Sequence, residues 1–143
     1  MNQLRKRLME SVSAVSCADK VGLLQSAGVD SVSVGIILQE SGKRVQAYTF
    51  EIQGYRSRER ERAEIIARHL GWRLKVVTVP TRNLAADVKR LAIQFGCCTK
   101  VLFEVLIPLL YIFREVEEHE VWTGFNADDS YGNTREAILE QSR

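Results

Sequence analysis

Val21-Gly22-Leu23-Leu24-Gln25-Ser26-Ala27-Gly28-Val29-Asp30-Ser31 begins as an apolar strand, breaks into small residues and then re-enters helical spacing. A strand that ends in a small-residue turn and opens a helix is suited to holding an anion. Ser26, Ala27 and Gly28 let the backbone come close to a ligand, and the first N–H groups of the following helix have no acceptor within it. Asp30 and Ser31 stand at the helix entrance, where a carboxylate can cap the helix or hold magnesium and a hydroxyl can bond to a phosphate.

Working outward, Leu4, Leu8, Val12 and Val15 predict an amphipathic helix over residues 2–15. The first strand is expected at 20–25. In the helix after it, Val29, Val32, Ile36 and Ile37 would share a face, with Gly42 as the stop. A second strand is expected over 44–52, then a helix from Arg56 whose Ala63, Ile66, Ala67 and Leu70 form a stripe ended by Gly71. Strand three, 74–79, stops at Pro80. Thr81 is the expected cap of the next helix, in which Leu84, Val88, Leu91, Ala92 and Phe95 repeat at helical spacing as far as Gly96. Residues 100–115 predict a helix apolar on nearly every side, with a bend expected at Pro108. A strand at 120–123 leads into Gly124-Phe125-Asn126-Ala127-Asp128-Asp129-Ser130-Tyr131-Gly132, and Asn133 with Glu136 starts a last helix as a capping box.

This αβαβαβααβα order implies an α/β fold: a mainly parallel sheet with helices on both faces, three layers deep, with ligands at the carboxyl ends of the strands. The 143 residues fit a single domain, with residues 1–18 as a peripheral N-terminal helix. Apolar content of 45%, charged content of 27% and a net charge of +2 are ordinary for a globular protein and argue for neither a nucleic-acid nor a membrane partner. The run from Val101 to Phe113, broken by Glu104 and Pro108, falls short of the roughly 20 residues that span a bilayer. With no signal-peptide h-region and three cysteines in no paired pattern, a cytoplasmic location is expected.

Each small-residue turn alone also fits an ordinary tight connection. Together they suggest more, because the ends of strands one and four can be neighbours in a parallel sheet. Asp30 and Asp128 would then flank one magnesium ion above a phosphate-binding nest, which makes a nucleoside triphosphate site.

Ser26-Ala27-Gly28-Val29-Asp30-Ser31 resembles the SGGxDS pyrophosphate loop of the PP-loop ATP pyrophosphatases, and Thr123 to Gly132 resembles the second acidic loop, (S/T)GxGADExFGG, of asparagine synthetase-like synthetase domains. Glu59 to Gly71 is similar to that family's E-xxx-A-xxx-A-xx-LG helix. Thr99-Lys100 through Tyr111 is similar to a segment of its stand-alone members. The similarity covers about residues 20–135.

The resemblance implies an adenine nucleotide alpha hydrolase-like fold that binds ATP and Mg2+, adenylates a substrate carboxylate with release of pyrophosphate, and forms an amide with ammonia or an amine. Carried over by position, Ser26, Gly28, Asp30 and Ser31, with Ala27 and Val29 between them and Gly124 opposite, would hold phosphates. Asp30 and Asp128 would bind magnesium, and Leu24, Thr49 and Phe50 would border the adenine. The alternatives are a non-catalytic nucleotide-binding module and an RNA-modifying ATP pyrophosphatase.

Ala27 in place of the middle glycine is expected to keep the N–H while giving up positive φ. Phe125-Asn126 replaces a Glu-Gly pair, and Asp129 is one carbon shorter than the usual glutamate. The family's synthetase domains continue past the second loop into helices that supply a catalytic lysine and much of the acceptor pocket, so the expectation here is a core short at the C-terminus. Asn2 stands where glutamine-using members carry a cysteine, so glutamine hydrolysis is not expected.

Lys100 is either a phosphate or intermediate contact or a snorkelling helix-end residue. Arg56, Arg58, Arg60 and Arg62 interleave with Glu59, Glu61 and Glu64, as on a solvated helix face. Cys97-Cys98 reads as buried thiols more readily than as a redox pair, and His69 and His119 share no metal-ligand spacing. If the 101–113 helix normally has a covering half, self-association through it into a homo-oligomer is expected.

Overall fold

Val21 and Leu23 have no solvent exposure at all, because the strand they belong to is central and covered on both faces. The computed structural model describes residues 3–125. It places β1 (Lys20–Leu24) between β2 (Arg44–Ile52) and β4 (Val121–Thr123), with β3 (Arg73–Val79) beyond β2, in the order β3-β2-β1-β4. All pairings are parallel. Leu24 stands opposite Tyr48 on one side and Thr123 on the other.

Helices α1 (Gln3–Val15), α2 (Val29–Glu40) and α3 (Arg58–Leu70) cover one face of the sheet. There Val12, Leu38, Ala67 and Trp72 pack on Val21, Leu23, Val45 and Ala47. Helices α4 (Leu84–Phe95) and α5 (Lys100–Glu115) cover the other, where Leu91, Ile107, Tyr111 and Ile112 meet Tyr48, Val77 and Val79. The three-layer α/β/α architecture expected from the element order is therefore present. The chain passes from β1 through β2 to β3 on one side and returns to β4 across the opposite face. The strand order thus reverses at β1, and the crevice lies at the carboxyl ends of β1 and β4.

The apolar stripe expected on α2 holds only in part: Ile36 and Ile37 pack against the core while staying partly exposed. Val29 is 76% exposed, and the buried residues are Ser31, Gly35 and Leu38. The helix is apolar nearly all round, so spacing alone does not choose its face. Close packing does: a Cβ on Gly35 would lie 2.3 Å from the Trp72 ring and 2.6 Å from Leu23, so only glycine lets α2 approach this closely. The Trp72 indole N–H donates to Gln39 Oε1 (2.8 Å), and Arg5 pairs with Glu40, fixing α2 to the residue before β3 and to α1.

Thr81 does not cap α4. It lies in a 3-10 turn, Thr81–Asn83, and no side chain caps the helix that follows. The stripe expected on α4 is also mostly outside the core, with Phe95 62% exposed and Val88 at 37%. Its buried face pairs Leu91 with Asp87, whose carboxylate accepts a 2.6 Å hydrogen bond from the buried Tyr111 hydroxyl of α5. Helix α5 is capped by Thr99, whose Oγ1 accepts from the Leu102 N–H, and runs uninterrupted through Pro108. Among the described residues no single helix is long and apolar enough to cross a membrane. The loop from residue 126 and the expected last helix lie outside the described residues.

Candidate nucleotide site

The β1–α2 turn is built from its own hydrogen bonds. The Ser26 and Ser31 hydroxyls lie 3.2 Å apart, Ser31 Oγ donates to the Gly28 carbonyl (3.1 Å), and the Ser26 and Gly28 N–H groups donate to Ser31 Oγ (3.3 Å) and Ser26 Oγ (3.4 Å). Gly28 is the N-cap of α2 and supplies no side-chain cap, so the positive end of the helix stays available to an anion.

Contrary to the sequence reading, Ala27 does adopt positive φ, at 59°. The methyl group is small enough to enter this region at a cost of about 1–2 kcal/mol. The surrounding serine network holds it there, so the glycine-like bend of the turn is kept without glycine.

The second loop reaches this turn directly. A Cβ on Gly124 would lie 2.6 Å from the Ser31 nitrogen and 2.7 Å from the Asp30 carbonyl carbon. The two stretches picked out of the sequence are thus in contact over the first turn of α2, as the parallel Leu24 and Thr123 pairing dictates. Asp128 and Asp129 lie outside the described residues.

Beside the turn a cavity of about 800 Å3 opens, toward the upper end of the roughly 300–1,000 Å3 usual for ligand pockets. Seven of the expected residues line it: Leu24, Ser26, Asp30, Ser31, Thr49, Phe50 and Gly124. Ala27, Gly28 and Val29 shape the turn without lining the cavity. Lys100 does not line it either. Its side chain is 87% exposed and its ammonium sits 3.4 Å from Glu104.

The sequence reading missed Gln25, Tyr48, Glu104 and the apolar wall of α5, from Val105 to Phe113, which all line the same cavity. Gln25 is 3% exposed, and neither Nε2 nor Oε1 has a hydrogen-bond partner. A buried unpaired amide costs about 1–3 kcal/mol, which points to a ligand that satisfies it. The signal was a polar residue closing an apolar strand. Tyr48 forms part of the cavity floor, and its hydroxyl donates to Glu118 Oε2 (2.6 Å), whose other oxygen meets Lys20 Nζ at 2.5 Å. Burial and the Glu118 hydrogen bond push the Tyr48 phenol up to about 12. Burial raises the Glu118 carboxyl, but the hydrogen bonds from Lys20 and Tyr48 outweigh it and hold the group below the usual glutamate value. Glu120 accepts from the Ser16 hydroxyl and from the Cys17 and Ala18 amides. These two carboxylates tie the approach to β4, and so the second loop, to the central strand.

Asp30 and the Ser26 and Ser31 hydroxyls are hard oxygen donors of the kind magnesium takes, and a single protein carboxylate is enough when phosphates supply other ligands. No group of three His, Cys, Asp or Glu side chains able to hold a metal occurs among the described residues. The described donors therefore fit a magnesium ion that also takes ligands from phosphate.

A parallel α/β/α sheet with a serine-rich turn at its switch point defines a doubly wound α/β domain with a candidate anion site at the carboxyl ends of its strands. The asparagine synthase family profile matches residues 3–128, and the chain belongs to that family. No curated protein sequence matches it. Among solved structures, it is similar to the NH3-dependent NAD synthetase from Campylobacter jejuni at 22% identity and a TM-score of 0.56, over 83% of this chain and 52% of that one. NMN synthetase from Francisella tularensis gives 14% identity and a TM-score of 0.56, over 83% of this chain and 51% of that one. The predicted subunit of tRNA methyltransferase from Methanocaldococcus jannaschii gives 21% identity and a TM-score of 0.55, over 86% and 62%. At these identities the likeness is one of fold. The chain spans 51–62% of the length of these three structures.

Proposed function

We propose that this domain binds ATP with magnesium and adenylates a substrate carboxylate, for amide formation with ammonia or an amine. The observation that carries the reading is the contact of Gly124 with the Asp30–Ser31 peptide, which joins the two loops over the N-terminus of α2. In this reading Ser26, Ser31 and the first N–H groups of α2 take the β- and γ-phosphates. Leu24, Thr49 and Phe50 border the adenine. Asp30, with Asp128 from the second loop, would hold magnesium, which when bound neutralises charge on the leaving pyrophosphate.

The chemistry asked of the chain is positional. A carboxylate oxygen of the substrate attacks the α-phosphorus, the bond from that phosphorus to the bridging oxygen breaks, and pyrophosphate leaves with both electrons of that bond. The amine nitrogen then attacks the acyl carbon, AMP leaves and the nitrogen loses a proton. Fixed N–H groups aimed at the phosphates stabilise the departing charge without reorganisation. The polar rim at Ser26 and Ser31 adjoins an apolar cavity that limits water near the acyl group.

Calorimetry with ATP, with and without magnesium, tests the nucleotide site. Magnesium-dependent binding that weakens at least roughly tenfold in Asp30→Asn is expected. No ATP binding by the folded chain sinks the proposal. Carboxylate-dependent exchange of labelled pyrophosphate into ATP tests the adenylation step, and release of ADP alone argues against it. Self-association belongs to the same reading. Val101, Leu102 and Phe113 are exposed on α5, and sedimentation at micromolar concentration is expected to show a homo-oligomer.

A further inference from the structure

Glu118 lies between α5 and β4, and its side chain is only 1% exposed. A buried carboxylate is costly unless its oxygens are met. Here each oxygen has its own partner: Oε1 pairs with Lys20 Nζ at 2.5 Å, and Oε2 accepts from the Tyr48 hydroxyl at 2.6 Å. Gly22 of the central strand makes the room. A Cβ built on it would lie 3.6 Å from Glu118 Oε2 and 3.4 Å from Val121, so side-chain atoms beyond a Cβ would compete with the carboxylate for this space.

The partners stand on different strands. Lys20 begins β1, Tyr48 lies on β2 opposite Leu24, and Glu118 comes just before β4. Glu118 thus reaches over the central strand and joins its two neighbours, and Tyr48, its partner on the far side, also lines the cavity. Glu120 holds Ser16, Cys17 and Ala18 ahead of β1, so the link to β2 is carried by Glu118. Three residues give β4 few ladder bonds with which to hold its place. Its last residue, Thr123, pairs with Leu24 and leads straight into Gly124, which packs on the Asp30–Ser31 peptide. A side-chain bond made just before the strand therefore bears on where the loop after it is seated.

We infer that Glu118 is a positioning residue: through Tyr48 it couples the floor of the cavity to the seat of Gly124 on the first turn of α2. It touches no ligand itself. A misplacement of about 1 Å in the groups that hold a substrate costs up to about a hundredfold in rate, so a loosened second loop acts on the site with no ligand contact removed. The affinity part of the test rests on the nucleotide-binding reading, and the exchange part does not.

Three variants of the intact chain test this. Tyr48→Phe keeps the ring against the cavity and removes only the bond, Glu118→Leu removes it from the other side, and Glu118→Gln keeps an oxygen that accepts from Tyr48. By hydrogen exchange, Tyr48→Phe and Glu118→Leu are expected to speed the amides of residues 121–125 while those between β2 and β3 keep the parent rates, and Glu118→Gln is expected to leave both unchanged. By calorimetry with ATP and magnesium, the first two should bind roughly fivefold or more weakly, their double variant no more weakly than the weaker single, and Glu118→Gln within about twofold of the parent. Parent-like exchange at residues 121–125 in Tyr48→Phe overturns the inference. Exchange raised evenly across the sheet overturns it too, since that is the mark of a general loss of stability, and so does a faster loop with parent-like ATP affinity. A parent chain that binds no ATP removes the nucleotide reading, and the exchange rates then decide the coupling alone. Should Glu118→Leu fail to fold by circular dichroism, Tyr48→Phe and Glu118→Gln decide it.

Discussion

Gly124 packs against Ser31 so closely that a Cβ on the glycine would sit 2.6 Å from the serine backbone nitrogen. Backbone meets backbone there, and no flexible side chain can move aside. Gly124→Ala must therefore push the second loop off the first turn of α2. Overpacking of this kind costs about 1–3 kcal/mol, and because β4 has three residues and pairs with β1 alone among the described residues, the displacement should be local. We expect an unchanged far-ultraviolet spectrum, a slightly lower melting temperature and at least roughly tenfold weaker ATP binding by calorimetry. Parent-like affinity would show that the loop contact is not part of the nucleotide site.

Gln25 sets stability against binding. Its amide is buried with both polar atoms unpaired, so Gln25→Leu, close in volume, should stabilise the chain by about 1 kcal/mol or more. The same change removes groups that a bound nucleotide would satisfy. A higher urea midpoint together with weaker ATP binding is the expected pair of results. A variant that gains stability and binds ATP like the parent would assign Gln25 no part in the site.

Two carboxylates and one phenol are expected to make stability depend on pH. Glu118 and Glu120 both titrate below the ordinary glutamate value of 4.5 in the folded chain. Their contribution is therefore complete above that value and is lost as pH falls through their lower folded values. Tyr48 is raised from 10.0 to about 12, so its contribution is complete below pH 10 and disappears as pH rises through about 12. Urea midpoints measured across pH should fall on both flanks. Glu118→Gln should flatten the acid flank and lower neutral stability by about 1–2 kcal/mol, a modest figure because Lys20 remains partly solvated. An acid flank identical to the parent's would rule out the Lys20–Glu118–Tyr48 chain as its source.

Ala27 at φ 59° stores backbone strain within the phosphate turn. Ala27→Gly relieves it but adds freedom to the unfolded chain, so the net gain should stay below about 1 kcal/mol. Ala27→Val places a β-branched residue where such residues are outliers, and should cost about 2 kcal/mol or more. Denaturation midpoints in the order Gly, Ala, Val test this; a valine variant as stable as the parent would contradict the bend.

The elements carried by local pattern were legible in the sequence. The β1-turn-α2 unit, α3 closed by Gly71 in the left-handed region, and the helix that begins at residue 100 stand where spacing and turn chemistry put them, whereas the Ser57 and Thr99 caps were not read from the sequence. What spacing left open was set by contacts between distant residues. The buried face of α2 depends on Trp72, 37 positions after Gly35, and the buried Asp87 depends on Tyr111 one helix later. Gln25 was passed over because a polar residue beside a small-residue turn reads as part of the turn. Ala27 was misjudged by treating the left-handed region as closed to every residue but glycine.

The two faces of the sheet carry separate cores, and the cavity draws on only one of them. Substitutions in α1, α3 and the buried face of α2 around Leu38 then act on how firmly the platform holds, while the first turn of α2 and the apolar face of α5 border the cavity. The packing on the far side of the sheet can therefore vary with little consequence for the cavity wall.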